Sequence, residues 1–393
     1  MGVHVLVNAA SAHMGGALTY LLNVVRCLSQ VAPADRFTVY LPSHSRDKVE
    51  AMGPFTNVTL VDYPYHTTGG PARNYFDQIV IPRQLRARQA DVLFSSTGFG
   101  TFVSPRPQVL LIRNAAYFSP DFRSMYRKLG RSLRRNTMRR HLSLASIRAA
   151  DVTLFPTEAM RDMVQPYIDL TNRRTRVLPY GFDHEAFSQG KATVSGWRER
   201  FETWKSEGYA LLLNVSTYAV HKNFETLIEA LPHVKAGGRK VKLLTTTSRE
   251  KTSDKAEYDA MVRRAEALGV KEDWVELGYV PYEALHALYA AADLYVFPSF
   301  TESFGHSLLE AMAAGLPVAA ADMPVNREVC GEAGRYFETF NPKDCARVVE
   351  DVLGDAEVRR QLSDASLSRA QDFSWPRYTA QLVELFREAA HRR

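Results

Sequence analysis

Short apolar runs recur along the first half of the chain, at residues 4–8, 37–41, 58–61, 92–94, 109–112, 152–155 and 177–178. Several are separated by longer segments with apolar residues at helical spacing, such as Leu18, Leu21, Leu22, Val25 and Leu28. Near-continuous rather than alternating apolar strands predict a parallel sheet covered on both faces, hence a Rossmann-like first half. Polar residues and glycines break this rhythm at residues 184–208, close to the midpoint of the chain. It resumes with strands at 211–215, 243–246, 275–277, 294–297 and 318–320, each followed by a helix-like segment, and a run at 305–314 reads as a helix. The pattern predicts an α/β protein of two doubly wound domains, residues 1–185 and 186–375. A terminal helix covering residues 376–393 comes after both domains and can pack back on the first.

The length of 393 residues suits two such domains. Hydrophobic residues at 46% and charged residues at 23% exclude a disordered or collagen-like chain. The net charge of +6 is local in origin. Nine bases and no acid lie at residues 123–150, which leaves 40 bases against 43 acids elsewhere. In that stretch Tyr126, Leu129, Leu133, Leu142 and Ala145 recur among the arginines at roughly helical intervals, and Gly130 interrupts the segment. A basic amphipathic helix of this kind can lie on an anionic membrane surface through residues 123–148; a solvated face, or a groove for a soluble anionic acceptor, are the alternatives. No nucleic-acid module accompanies the charge, so no nucleic-acid partner is expected. Cys27, Cys330 and Cys345 form neither a CxxC pair nor a metal-ligand cluster. With no leader and no apolar stretch of membrane-spanning length, the sequence predicts a cytoplasmic protein, peripheral at most at the inner face of the membrane.

Ligands of open α/β sheets bind beyond the carboxyl ends of strands, so the strand-to-helix turns carry the candidate chemistry. The turn at residues 8–19 contains Gly15 and Gly16, which let a backbone approach a ligand near a helix start. It lacks the G-x-G-x-x-G dinucleotide fingerprint. At residues 301–311, Phe304, Gly305 and His306 would present free N–H groups at a helix start, flanked by Glu302 and Glu310. Those carboxylates stand too far apart along a helix axis, about 12 Å, to flank a single glycosidic bond, and suit distant hydroxyl groups of one elongated ligand. At residues 214–228, Lys222 stands at a helix start where a diphosphate could be held. At residues 109–117, Arg113 and Asn114 emerge from a buried strand; bonding to neighbouring loops is the equally weighted structural alternative.

Together these segments resemble the GT-B glycosyltransferases, specifically the retaining family 4. The stretch AADLYVFPSFTESFGHSLLEAMAAGLPVAAADMPVNREVCGEAGRYFETFNP carries the resemblance, with its E-x7-E pair Glu302 and Glu310, the turn from Gly315 through Pro317, Asp322, and Arg327 with Glu328. The resemblance implies two Rossmann-like domains facing across a cleft, an acceptor-binding first domain and a nucleotide-sugar-binding second. It implies that Glu310 binds the donor ribose, and that Glu302 with Phe304, Gly305, His306 and Ser307 holds the sugar. Lys222 would neutralise the diphosphate, Gly16 would approach the same phosphates, and backbone around Tyr279 and Val280 would edge the base. Thr217 stands where family members commonly carry an arginine, and neighbouring His221 is expected to replace part of its charge. A histidine common at the end of the strand that finishes in Arg113 and Asn114 is also missing; Asn114 is the expected substitute, with Arg113 and Tyr117 binding the acceptor.

The expected reaction moves a sugar from a nucleotide donor to a glycan, lipid-linked or small-molecule acceptor with retention. Positive groups would stabilise the departing diphosphate. The chain holds no D-x-D triplet, so no metal or other cofactor is expected. Another GT-B-fold enzyme, a nucleotide-sugar epimerase or sugar phosphorylase, and a non-catalytic nucleotide-sugar-binding protein are the alternatives.

Overall fold

The computed structural model describes residues 2–13, 15–65, 70–188 and 196–391, so part of the polar stretch at 184–208 lies outside the described residues. The chain forms two compact units, Met1–Gly181 with Phe373–Arg393, and Phe182–Asp372.

The first unit is built on seven parallel strands: β1 (His4–Asn8), β2 (Arg36–Leu41), β3 (Val58–Asp62), β4 (Val92–Ser95), β5 (Gln108–Leu111), β6 (Val152–Phe155) and β7 (Thr175–Val177). Their order is β3-β2-β1-β4-β5-β6-β7. The direction of winding therefore reverses between β1 and β4, the place where doubly wound sheets open a crevice at their carboxyl ends. Here that crevice is filled from within. Asn8 at the end of β1 donates Nδ2 to Asp77 Oδ1 at 2.7 Å, and Arg73 Nε donates to Asp77 Oδ2 at 2.8 Å. The remaining guanidinium nitrogens of Arg73 reach Thr97 Oγ1, just past β4, at 3.0 Å, and the Ser11 hydroxyl. Burial pushes the Asp77 carboxyl upward despite the charge and hydrogen bonds of Arg73.

The terminal helix, Trp375–Ala390, is part of this first unit. Its buried residues Tyr378, Leu382, Leu385, Phe386 and Ala389 fall at spacings of three and four, one stripe of a helix. Phe386 packs against Phe94 of β4 with ring centroids 5.2 Å apart. The Tyr378 and Tyr20 hydroxyls lie 2.8 Å apart, and Arg387 Nη2 donates to buried Asp35 at 2.9 Å. Gly181 meets the start of this helix so closely that a Cβ there would lie 2.1 Å from the Trp375 nitrogen, while Tyr180 stacks on the Trp375 ring.

The interruption expected at Gly130 divides the basic stretch. Two helices form, Pro120–Lys128 and Arg134–Ala149, broken at Gly130, where φ is 64°. Ser119 caps the first by accepting from Phe122 N at 3.1 Å. The second buries Leu144 and Ile147 in a core shared with Phe118, Phe155 and Met160.

The second unit holds six parallel strands: β8 (Ala210–Asn214), β9 (Val241–Thr245), β10 (Trp274–Glu276), β11 (Leu294–Phe297), β12 (Val318–Ala321) and β13 (Gly334–Phe337). The order β10-β9-β8-β11-β12-β13 places the winding reversal between β8 and β11. Strand β13 was not expected from the sequence. Its core packs Ile228, Leu231, Leu243, Val296 and Val349. Among the described residues no helix is long and apolar enough to cross a membrane.

Candidate active site

In the second unit the two loops leaving β8 and β11 are stitched together. Asn214 Nδ2 donates to Val296 O at 2.8 Å, which ties the two strand ends at the reversal. Beyond them, Phe300 N and Ser299 Oγ both donate to His221 O at 3.1 Å, and Asn223 Nδ2 donates to Pro298 O at 3.2 Å. Asn223 ends the short turn Val220–Lys222 with φ at 54°, a left-handed conformation that asparagine tolerates better than most side chains. It thereby turns the chain into helix Phe224–Ala236 and leaves Lys222 facing the β11 loop.

Lys222 Nζ contacts Glu302 Oε1 at 2.5 Å, and Ser299 Oγ lies 2.8 Å from the same oxygen, its one proton shared between that carboxylate and His221 O. Burial alone would raise the Glu302 carboxyl, but the charge of Lys222 with these hydrogen bonds holds it below its ordinary value. Helix His306–Ala313 begins beside them, entered through Gly305 at φ 87°, where a β-carbon would be strained. The N-cap position of that helix is Gly305, which has no side chain to cap its positive end. Phe304 is fully buried and offers backbone only, and Ser307 lies in the first turn. One turn on, Glu310 accepts from the Tyr289 hydroxyl at 2.8 Å, and burial pushes its carboxyl up to about 7.

Lys222, Glu302, Gly305, His306, Ser307 and Glu310 are thus gathered along the β8 and β11 ends. Tyr279 and Val280 follow β10 after Gly278; the Tyr279 ring is 75% exposed, with the Lys251 ammonium 5.9 Å above it. Thr217 is exposed on the loop after β8. One expectation fails: His221 does not supply the charge of the absent arginine. Burial first, then Lys222 next to it, lower its imidazole to about 4, so it is neutral at neutral pH. Asn223, Ser299 and Tyr289 are site residues that sequence reasoning missed.

In the first unit, Gly16 is exposed in the opening turn of helix Gly15–Val31. The Arg113 guanidinium lies 5.4 Å above the Tyr20 ring and 6.0 Å above that of Tyr180. Asn114 Oδ1 accepts from Ala116 N at 3.1 Å and so caps its own turn, the local role that was the alternative to facing a ligand. Tyr117 is a core residue rather than an exposed contact, packed beside Phe99 and Phe118. Among the described residues no three His, Cys, Asp or Glu side chains converge as metal ligands do.

Comparison with known proteins agrees with this architecture. A family model described as glycosyl transferases group 1 matches residues 196–369, and one described as glycosyltransferase family 4 matches residues 14–186. The O-antigen chain mannosyltransferase B of Escherichia coli is 31% identical over 182 residues, 46% of each chain. A D-inositol 3-phosphate glycosyltransferase of Corynebacterium glutamicum is 30% identical over 246 residues, 61% of this chain and 58% of its own. The chain therefore spans about half the length of the curated relatives it matches. Among solved structures, Anabaena HepE in complex with UDP and glucose superposes with a TM-score of 0.71 at 18% identity, covering 98% of this chain and 100% of that one. WaaG, a glycosyltransferase involved in lipopolysaccharide biosynthesis, superposes at 0.66 with 20% identity, covering 97% and 99%. Two parallel-sheet units, a matching model over each and these likenesses lead to one conclusion: the chain belongs to the group 1, family 4 glycosyltransferases and has the GT-B fold.

Proposed function

We propose that this chain is a retaining, metal-independent hexosyltransferase that moves a sugar from a nucleoside diphosphate to a hydroxyl of a glycan or lipid-linked saccharide. The observation that carries the reading is the Lys222–Glu302 pair at the winding reversal of the second unit, beside the uncapped start of helix His306–Ala313. A diphosphate entering there replaces Glu302 as the partner of Lys222 and meets the helix N–H groups. Glu302, released, accepts from sugar hydroxyls. Glu310, ionised, accepts from ribose hydroxyls. As the bond from the anomeric carbon to the phosphate oxygen breaks, negative charge grows on the diphosphate where Lys222 and the N–H groups already stand, so little reorganisation is needed. The acceptor oxygen bonds to the same face of the anomeric carbon, and its proton passes to the departing phosphate oxygen. On this route no side chain acts as base and no metal bridges the diphosphate. Names of relatives that act on an O-antigen chain and on inositol 3-phosphate support a sugar-transfer reading.

Thermal melting against UDP, GDP, ADP and their sugar conjugates, with magnesium and with EDTA, tests the donor site. One nucleotide family should stabilise the protein equally in both, by about 2.7 kcal/mol at one hundred times its dissociation constant. Lys222→Ala should abolish most of that shift and lower turnover by about 10²–10³-fold. Stabilisation that requires magnesium removes metal independence, and an inverted product anomer by NMR removes retention.

A further inference from the structure

Asn223 and the β11 loop hold the far end of the turn that carries Lys222. The near end is held from a different element. Val220 N donates to Asp254 Oδ2 at 3.1 Å, a contact between residues 34 apart. Asp254 stands at the N-cap position of helix Lys255–Ala267, where an aspartate ordinarily accepts from the N–H groups of its own helix, yet it makes no such bond. Its carboxylate caps instead the opening of the turn Val220–Lys222, for which the residue at the cap position, Ala219, has no oxygen to offer. Thr252 seats the carboxylate there. The Thr252 hydroxyl accepts from Asp254 N at 2.9 Å and donates to Tyr218 O at 2.9 Å. One turn into the helix that follows, Tyr258 meets the Tyr218 ring edge-on with centroids 5.2 Å apart. Thr252, Asp254, Tyr218 and Val220 are all buried.

A buried carboxylate that leaves its own helix start unbonded and holds a backbone N–H two residues before Lys222 serves the placement of that lysine. Lys222 N donates to Ala219 O at 2.8 Å, so the turn is one hydrogen-bonded unit and a shift at Val220 carries to Lys222. A lysine is a point charge on a flexible stem, and the direction from which it meets an anion is set by the backbone that bears it. We propose that Asp254, seated by Thr252, is a positioning residue that fixes where Lys222 meets the donor diphosphate. This rests on the donor site proposed above, since it assigns the residue that aims the cation of that site. The carboxylate touches neither donor nor acceptor and acts only through Val220.

Two substitutions separate this role from a purely structural one. Serine caps a helix start about as well as aspartate but is one bond too short for Val220 N, whereas asparagine keeps an amide oxygen where the carboxylate oxygen stands. Calorimetry with UDP, GDP and ADP on the full chain reads the outcome. Asp254→Ser should keep the melting temperature yet weaken the nucleoside diphosphate that binds the native protein by about tenfold. Binding of the matching nucleoside, which brings no phosphate to Lys222, should not change. Asp254→Asn should recover diphosphate affinity to within about threefold of the native chain. In the Lys222→Ala background Asp254→Ser should cost nothing further, because a residue that acts through another does not add to its loss. Without any ligand, amide hydrogen exchange in Asp254→Ser should quicken at residues 219–223 and stay slow in helix Lys255–Ala267. Undiminished diphosphate affinity of Asp254→Ser, an equal loss for the nucleoside, no rescue by Asp254→Asn, or losses that add to that of Lys222→Ala overturn the proposal. Any of these leaves the Lys222→Ala loss in place, whereas diphosphate binding that survives Lys222→Ala strikes the donor reading itself.

Discussion

The two units share one topological accident, a reversal of winding at the carboxyl ends of neighbouring strands, and they fill it in opposite ways. In the first unit the reversal between β1 and β4 holds the Arg73–Asp77 pair, with side chains only 5% and 3% exposed. In the second the reversal between β8 and β11 holds the Lys222–Glu302 pair, at 22% and 15%. A pair sealed from water and bonded on every side to Asn8, Ser11 and Thr97 is a fixture of the fold. A pair open at its edge, beside the start of helix His306–Ala313, is the one that the proposed function has exchange a partner for a ligand anion. The lesson is that the crevice predicted by sheet topology is only a permission, and solvent access to its ion pair decides which unit uses it.

Breaking the sealed pair should have the largest effect. Arg73→Met strands Asp77 in the interior and should cost about 3–5 kcal/mol of unfolding free energy by denaturant melt. The Lys222→Ala change at the open pair should cost markedly less stability, so that the two variants separate fold from function; equal losses would erase the distinction between the two sites. Next is Glu310. Because its folded carboxyl is raised from 4.5 to about 7, the native state holds its proton longer than the unfolded chain does. Its contribution to stability is therefore full below about 4.5 and lost as pH rises through about 7. Glu310→Gln should flatten that slope, whereas nucleotide affinity of the native protein should climb toward pH 7 and level above it. A pH-independent affinity would exclude the ionised carboxylate from binding. The smallest effect belongs to Arg360→Ala, which removes a solvent-exposed pair with Glu357 and should leave the melting temperature where it was.

The strands were legible because buried parallel strands are apolar on both faces, and this holds for β1 and β11, all of whose residues are buried. Strand β13 was not, because Gly334 and exposed Arg335 interrupt the apolar signal in a four-residue strand at the sheet edge. Lys222, Glu302 and Glu310 could be picked out from their turns, yet their partnership could not. The pair joins residues 80 apart through strands that are not consecutive, and Ser299 and Tyr289 matter only through that neighbourhood. The charge expected of His221 failed for the same reason, since burial was invisible in the sequence. The division of the basic stretch was legible at Gly130, where the backbone turns left-handed.

The close approach of Gly181 to Trp375 has a consequence for how such a chain can be recombined. The point where the first unit's chain breaks off and the point where it resumes are held in van der Waals contact by a residue with no side chain. Everything between them, residues 182–372, is a cassette whose removal leaves two ends that a linker of a few residues could join. If the second unit holds the donor as proposed, swapping donor specificity between members of this architecture is a matter of splicing at two adjacent seams, provided that the glycine at the first is kept.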